Sequence, residues 1–143
     1  MPTILVVDDD PSARKPLARL LESRGYSVAT APDASVALAS VSSAAPDLIL
    51  LDIAIPGLDG LTMLWRLRET SAGRKVPVIV ITGHDDAQTI KRAQQLDVKA
   101  YLVKSRFTPA ELFDLVRTHA GVPSGAPLDA PTTTASVTAP TDA

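Results

Sequence analysis

Five short runs of β-type apolar residues alternate along the chain with segments whose apolar residues recur at helical spacing. The run PDLILLD, residues 46–52, is almost continuously apolar, which is typical of a strand that is covered on both faces. Strands that alternate with helices are typical of βαβ units, which feed a parallel sheet. The pattern therefore predicts an α/β fold with five strands and five helices.

The predicted strands are the runs TILVV, YSVAT, PDLILLD, VPVIVIT and AYLV, at residues 3–7, 26–30, 46–52, 76–82 and 100–103. Helical spacing predicts a helix after each of them. The residues that mark these helices are Ala13, Leu17, Leu20 and Leu21; the stretch 34–43; Leu61, Leu64 and Leu67; Ile90, Ala93 and Leu96; and the stretch from Pro109 to about His119.

Length and composition restrict the class of protein. A chain of 143 residues has room for one domain with a sizeable core. A net charge of -2 gives no electrostatic reason to expect a nucleic-acid partner. No apolar run is long enough to span a bilayer and no signal sequence is evident, so we expect a cytoplasmic protein without a membrane partner. The absence of cysteine excludes disulfides and thiolate catalysis.

The composition changes at Val122, where Pro, Thr and Ala become dominant and periodicity is lost. Such a segment cannot bury enough apolar area to offset the entropy that ordering costs. We therefore predict a folded domain over residues 1–121 and a disordered tail or linker over residues 122–143. The chain is either a stand-alone protein or a part excised from a larger one.

Polar side chains stand where the predicted strands end. Asp8 and Asp9 follow the first strand, and Asp52, Thr82 and Lys104 mark the ends of the third, fourth and fifth. Because the carboxyl ends of parallel strands meet at one edge of a sheet, we expect these five residues to converge.

Converging carboxylates need a compensating cation. At roughly 4 Å and an effective dielectric near 20, each pair of like charges costs about 4 kcal/mol. Oxygen ligands without nearby His or Cys favour Mg²⁺ or Mn²⁺. A metal, a lysine and a hydroxyl around a carboxylate nucleophile would suit a phosphoryl group, so the residues indicate phosphoryl transfer onto an aspartate. Asp10, directly before Pro11, fits a helix N-cap instead.

From about Thr3 to His119 the chain resembles the receiver domains of two-component response regulators. The resemblance is carried by an ordered set of motifs: VVDDD, LLDIAIPGLDG, VIVITG and AYLVK. It implies a three-layer, flavodoxin-like (βα)5 fold whose central parallel sheet has the strand order 2-1-3-4-5. It also implies a phosphoryl group taken from a sensor histidine kinase or a histidine phosphotransfer protein, and a downstream protein effector.

The resemblance assigns roles to individual residues. Asp52 would be the phosphoacceptor, and Asp8, Asp9, Asp52 and the backbone carbonyl of Ala54 would hold Mg²⁺, Asp9 directly and Asp8 through water. Lys104 would pair with a phosphoryl oxygen. Thr82 would move toward the phosphoryl group, and the rotamer of Tyr101 would follow. This switch would alter the surface of the fourth helix, fifth strand and fifth helix, through which a homodimer is also expected.

Several positions depart from the family pattern or keep a second interpretation. Ser105 stands where a proline is usual, so we predict a trans bond and a different local loop, and Ile55 replaces a methionine without expected harm. Gly57, Asp59 and Gly60 are interpreted as turn residues that tolerate unusual backbone conformations.

Three of the site residues keep a structural alternative. Thr82 could be an ordinary strand residue, Lys104 a surface residue and Tyr101 a packing residue.

Two further positions leave a choice between a functional and a structural role. Trp65 lies off the stripe of its helix and could dock a partner or be partly buried against a neighbour. His84 lies two positions after Thr82 and could meet the phosphoryl group or face solvent.

Three other functions agree less well with the sequence than a phosphorylated receiver does. A pseudo-receiver that only scaffolds partners is disfavoured by the full set of site residues. An aspartate-nucleophile phosphatase would have a second acid two residues after Asp52, where this chain has Ala54. A flavin-binding electron carrier is poorly supported by five aromatic residues and no hydroxyl-rich phosphate loop after the first strand. The favoured interpretation is a phosphorylated receiver, which turns over no external substrate.

Overall fold

A computed structural model describes residues 2–53, 60–83, 87–104 and 106–122 of the chain. The strands are β1 (Thr3–Val7), β2 (Ser27–Ala31), β3 (Leu48–Asp52), β4 (Val78–Thr82) and β5 (Ala100–Val103). The helices are α1 (Pro11–Glu22), α2 (Ala34–Ser43), α3 (Gly60–Glu69), α4 (Ala87–Gln94) and α5 (Pro109–Ala120). Helices and strands alternate throughout, as the sequence predicts.

The five strands form one parallel sheet in the order β2-β1-β3-β4-β5. The predicted flavodoxin-like strand order is therefore confirmed. In the register of this sheet, Val7 lies level with Leu51, Asp52 with Ile81, and Thr82 with Val103. The carboxyl ends of β1, β3, β4 and β5 consequently lie side by side at one edge.

Apolar clusters cover both faces of the sheet, which gives the molecule three layers. Successive residues of a strand point to opposite faces, so each strand contributes to both clusters. The α2–α4 cluster includes Leu5, Val7, Ile49, Leu51, Val78 and Val80 with Ala37, Val41, Met63, Leu64, Leu67 and Ala93. The α1–α5 cluster includes Ile4, Val6, Leu48, Leu50, Ile79 and Ile81 with Leu21, Leu112 and Val116.

Side chains define where three of the helices begin. Asp10 is the N-cap of α1 and is followed by proline at the first helical position, as predicted. Asp33 caps α2 by accepting a hydrogen bond from the backbone N–H of Val36 at 2.9 Å. Thr108 and Glu111 form a reciprocal capping box at α5.

The second strand begins at Ser27, one residue later than predicted, and Tyr26 lies just before it. The Tyr26 side chain is only 4% exposed, and its hydroxyl donates a hydrogen bond to the Gly121 carbonyl at 2.8 Å. Burial raises the pKa of the Tyr26 hydroxyl, and the nearby Arg117 charge partly opposes this rise. Tyr26 thus ties the start of β2 to the end of α5.

Gly60 is required for a reason other than the predicted turn conformation. It is the first residue of α3, and its N–H donates a hydrogen bond to the Ile53 carbonyl at 2.9 Å. A Cβ at this position would lie 2.5 Å from the Ile53 Cα. Close approach of two backbones, and not an unusual φ, therefore demands glycine here. Gly57 and Asp59 lie outside the described residues.

Arg68 joins the loops at the amino-terminal edge of the sheet. Its guanidinium donates hydrogen bonds to five carbonyl groups at 2.7–3.3 Å, those of Gly73, Arg74, Val76, Leu96 and Asp97. Burial lowers the pKa of this guanidinium, and the charge of Asp97 opposes the change. The end of α3 is thereby fastened to the loop that follows it and to the loop after α4.

None of the helices in the described part of the chain combines the length and the apolar character needed to cross a bilayer. Residues 123–143 lie outside the described residues, so the predicted tail and its boundary at residue 122 stay predictions.

Candidate functional site

The carboxyl edge of the sheet brings three aspartates together. Asp8 directly follows β1, and Asp52 is the last residue of the neighbouring β3. Asp8, Asp9 and Asp52 each offer a carboxylate oxygen, and these oxygens lie within 4.8 Å of one another. Asp8 and Asp52 are 4% and 6% exposed, whereas Asp9 is open to solvent. The predicted convergence of these acids is therefore present.

Asp8 is held in place by four hydrogen bonds. Its backbone N–H donates to the Ala31 carbonyl at 3.1 Å, which continues the β1–β2 pairing by one residue. Its Oδ1 accepts from the Asp10 N–H at 3.0 Å, and its carbonyl accepts from the Arg14 guanidinium at 2.7 Å. Its other carboxylate oxygen faces Lys104. Asp8 is thus oriented before any ligand arrives.

Lys104 bridges two of the three carboxylates. Its Nζ donates to Oδ2 of Asp8 at 3.0 Å and to Oδ2 of Asp52 at 3.1 Å. Its backbone N–H donates to the Thr82 carbonyl at 2.7 Å, which fixes where the side chain starts. Burial alone would lower the pKa of the ammonium, but hydrogen bonds and charge attraction from Asp8 and Asp52 outweigh burial and raise the pKa. Lys104 therefore stays cationic at neutral pH.

The donor set fits a hard divalent cation. Three carboxylates carry three negative charges, and the Lys104 ammonium offsets only one of them. All three donors are oxygen atoms, the ligand type that Mg²⁺ and Mn²⁺ prefer in proteins. The exposed Asp9 leaves the cluster open to solvent on one side. Asp8, Asp9 and Asp52 could therefore hold such an ion, while Ala54 lies outside the described residues.

Asp10 is directed away from this cluster and into helix α1. One carboxylate oxygen accepts from the Ser12 N–H at 2.9 Å and from the Ser12 hydroxyl at 2.7 Å. These hydrogen bonds lower the pKa of the Asp10 carboxyl. The third acid of the run is therefore a helix cap.

Thr82 and Tyr101 occupy the predicted strand positions. Thr82 is the last residue of β4 and is 5% exposed, and in the described part of the chain no hydrogen bond engages its hydroxyl. Tyr101 lies on β5, is half-buried, and packs against the α2–α4 cluster. Their roles as a coupled switch stay predictions.

The floor of the site is apolar. A cavity of about 200 Å³ lies beneath the carboxylates, lined by Asp8, Asp52 and Lys104 and otherwise by side chains such as Leu17, Ile81 and Phe107. The apolar lining lowers the local dielectric and strengthens the attraction between Lys104 and the two acids.

Arg14 was not predicted as part of the site. It lies near the start of α1, where the helix dipole disfavours a cation, and this placement is the signal that could have drawn attention to it. His84, Ile55 and Ser105 lie outside the described residues, so the alternatives stated for them stay open.

Comparison with known proteins places this arrangement in a family. The family model of the response regulator receiver domain matches residues 4–117. The DNA-binding response regulator MtrA of Mycolicibacterium smegmatis is 37% identical over 114 residues, which are 80% of this chain and 48% of MtrA. The chain thus spans about half the length of that relative.

Solved structures agree with the sequence comparison. The chemotaxis protein CheY4 of Vibrio cholerae superposes with a TM-score of 0.77 at 28% identity, covering 83% of this chain and 98% of CheY4. A second solved structure is the receiver domain of a sensor histidine kinase from Pseudomonas aeruginosa, with a magnesium ion coordinated in its active site cleft. It superposes with a TM-score of 0.76 at 31% identity, and the match covers 84% of this chain and 98% of that domain. The sequence match, the fold and the residues at the carboxyl edge of the sheet agree, and this chain belongs to the response regulator receiver domain family.

Proposed function

We propose that this receiver domain accepts a phosphoryl group on Asp52 from a phosphohistidine donor in a Mg²⁺-dependent step. The observation that carries the proposal is the joint placement of Asp52 beside two further acids and within 3.1 Å of the Lys104 ammonium. This arrangement combines a nucleophile, donors for a metal and a fixed cation in one place.

In the proposed step a carboxylate oxygen of Asp52 forms a bond to phosphorus. The P–N bond to the donor histidine breaks, and the imidazole leaves with its electron pair. The hydrogen bond that Asp52 accepts from the Lys104 ammonium favours the carboxylate form, which is the form that acts as a nucleophile. A Mg²⁺ ion held by Asp8, Asp9 and Asp52 would neutralise charge on the phosphoryl oxygens.

Lys104 supplies a second positive charge at the same place. Its ammonium can transfer its hydrogen bond from the Asp52 oxygen to a phosphoryl oxygen while it keeps its bond to Asp8. The Thr82 hydroxyl is available to donate a hydrogen bond to the phosphoryl group. A rearrangement of Thr82 would then be passed to Tyr101, because the β4 and β5 strands on which they lie are paired.

Partners and output follow from the family and remain part of the proposal. The phosphoryl donor is a sensor histidine kinase or a histidine phosphotransfer protein, and the output is a changed interaction with a protein effector or a second receiver through α4, β5 and α5. Phosphorylation adds a charge of about -1.5 to -2, which is enough to bias a two-state surface. The chain accepts the phosphoryl group and turns over no external substrate.

Intact-mass measurement tests the phosphoacceptor directly. The chain is incubated with acetyl phosphate and Mg²⁺, alongside Asp52→Asn and a matched control, Asp114→Asn, which removes an exposed acid that pairs with Arg117 on α5. We expect one added phosphoryl group on the parent and on Asp114→Asn, and none on Asp52→Asn. Chelation of Mg²⁺ should suppress the gain in mass.

Two results would contradict the proposal. If the parent gains no phosphoryl mass from acetyl phosphate or from a phosphohistidine donor, the alternative of a pseudo-receiver that acts only as a scaffold is favoured. If Asp52→Asn gains mass as the parent does, a residue other than Asp52 is the acceptor.

A further inference from the structure

Trp65 is the one tryptophan of the chain, and its side chain is 52% exposed. It lies on α3 outside the stripe formed by Met63, Leu64 and Leu67, which are fully buried. The packing of the helix therefore does not require an aromatic residue here. An indole ring that is half in water leaves apolar area available to another molecule.

Trp65 forms one wall of a groove between α3 and α4. The groove encloses about 420 Å³ and is lined by apolar Leu61, Trp65 and Leu96 together with Thr62, Arg92 and Gln95. The space is large enough for two or three side chains of a bound segment and too small for a folded domain.

The two helices that form the groove carry a net positive charge, opposite in sign to that of the whole chain. Helices α3 and α4 carry four basic residues, Arg66, Arg68, Lys91 and Arg92, and one acidic residue, Glu69, whereas the chain has a net charge of -2. Arg92 is exposed, and within the described residues its guanidinium forms neither an ion pair nor a hydrogen bond. Among the described residues, no carboxylate competes for this guanidinium with one that is brought into the groove.

The groove is also held in shape before anything binds. The Arg68 guanidinium donates to the Leu96 carbonyl at 3.0 Å and to the Asp97 carbonyl at 3.1 Å, which fastens the end of α4 to α3. A surface that is already ordered loses little conformational entropy when it binds a ligand.

We propose that the α3–α4 groove docks a short segment of a partner protein that combines an aliphatic side chain with an adjacent carboxylate. The aliphatic side chain lies against Trp65, Leu61 and Leu96, and the carboxylate pairs with Arg92. The groove lies on the helical layer, none of the site carboxylates lines it, and it shares helix α4 with the α4–β5–α5 surface. This interaction goes beyond the proposed phosphoryl transfer and does not depend on it.

Peptide selection on the full chain tests the chemistry of the occupant. A phage-displayed library of random 12-residue peptides is selected on the parent protein and counter-selected on Arg92→Glu. We expect enriched sequences that place Asp or Glu next to Leu, Ile or Val. Because Trp65 is the one tryptophan, its fluorescence should shift to shorter wavelength when a selected peptide binds.

Matched variants locate the binding. Arg92→Glu should weaken the selected peptide by about tenfold or more, and Trp65→Ala by a similar factor. Arg19→Glu, which reverses an exposed arginine on α1, should leave the affinity unchanged. Circular dichroism and thermal melting of the variants show whether the fold is retained. Asp52→Asn should bind the peptide as the parent does, which separates this proposal from the phosphoacceptor proposal.

Several outcomes would overturn the inference. Selection of no peptides, of peptides without acidic residues, or of peptides that bind Arg92→Glu equally well would each do so. A dimer that dissociates in Trp65→Ala would make a second copy of the chain the occupant. A change in Trp65 emission on replacing Leu128 and Val137 by serine, without peptide, would make the chain's own C-terminal segment the occupant.

Discussion

Asp8, Asp9 and Asp10 are adjacent in the sequence but occupy three different environments. Asp8 is buried, with both carboxylate oxygens accepting hydrogen bonds. Asp9 is the exposed member of the three-carboxylate cluster, and Asp10 caps α1. Their mutual repulsion is reduced because Lys104 and the N-terminal N–H groups of α1 each take up part of the charge.

This division predicts different effects for neighbouring substitutions. Asp9→Ala removes one of three charged donors and should abolish measurable Mg²⁺ binding, with little loss of stability because the side chain is exposed. Asp10→Ala removes the α1 cap and should lower the melting temperature while Mg²⁺ binding is kept. Calorimetric titration with Mg²⁺ and thermal unfolding measure the two effects.

Asp10→Asn is the conservative control, since asparagine is also a good N-cap, and it should melt close to the parent. Equal loss of Mg²⁺ affinity in Asp9→Ala and Asp10→Ala would show that the two acids are not divided in this way.

Ala54, two residues after the proposed phosphoacceptor, predicts a long-lived phosphoryl group. Its methyl side chain cannot orient an attacking water, whereas an amide could donate or accept one hydrogen bond. A net contribution of about 0.5–1.5 kcal/mol from that bond corresponds to a roughly two- to tenfold faster hydrolysis in Ala54→Asn. The decay of the phosphorylated protein, followed by intact mass, measures it. Ala54→Val serves as the apolar control, and equal decay of parent and Ala54→Asn would contradict the prediction.

At the scale of elements, the start of α3 packs closely against the residue that follows β3. A Cβ at Gly60 would lie 2.5 Å from the Ile53 Cα. Gly60→Ala would force the Ile53 backbone, next to Asp52, to move. We expect the free energy of unfolding to fall by about 1–3 kcal/mol, the usual cost of overpacking.

Gly83→Ala is the matched control, because nothing lies within 4 Å of a Cβ at that exposed position. Its free energy of unfolding should change by less than about 1 kcal/mol. Urea unfolding of both variants makes the comparison, and equal stability of the two would show that the backbone at Ile53 relaxes without cost.

Most elements were predictable because local patterns and tertiary packing agree. The run TILVV and the stretch 34–43 coincide with β1 and α2, and AYLV coincides with β5. The runs at 46–52 and 76–82 each begin two residues too early, because each includes a proline, Pro46 or Pro77, which has no N–H to donate to the sheet. The role of Gly60 was not predictable, since it depends on a backbone seven residues away.

At the scale of the whole molecule, Tyr26 makes the free energy of unfolding depend on pH in the alkaline range. Burial favours the neutral phenol, so the pKa of Tyr26 in the folded chain exceeds its ordinary value of about 10. Its contribution is therefore complete below about pH 10 and is lost as the pH rises through the folded pKa. The free energy of unfolding of the parent should fall in that range more steeply than that of Tyr26→Phe.

At neutral pH the parent should be the more stable of the two by about 0.5–1.5 kcal/mol, the usual net value of one hydrogen bond. Denaturant unfolding of both proteins between about pH 8 and 11 gives the difference. A difference that stays constant across this range would contradict the proposed burial of the hydroxyl.

The candidate site was largely predictable because parallel strands must end at one edge. That rule brought Asp8, Asp52, Thr82 and Lys104 together from distant parts of the sequence. The rule could not give the hydrogen bonds by which Lys104 joins two acids, since these depend on the length and path of one side chain. The exposure of Trp65 and the five carbonyl partners of Arg68 likewise depend on how helices and loops pack.

The sheet separates the two apolar clusters, because adjacent residues of every central strand serve opposite faces. Val6 belongs to one cluster and Val7 to the other, although a single peptide bond joins them. A substitution on one helical layer can therefore be accommodated without repacking the other. In evolutionary terms, a lineage could acquire or lose a partner on the α3–α4 surface while the packing of α1 and α5 stays under its own, separate selection.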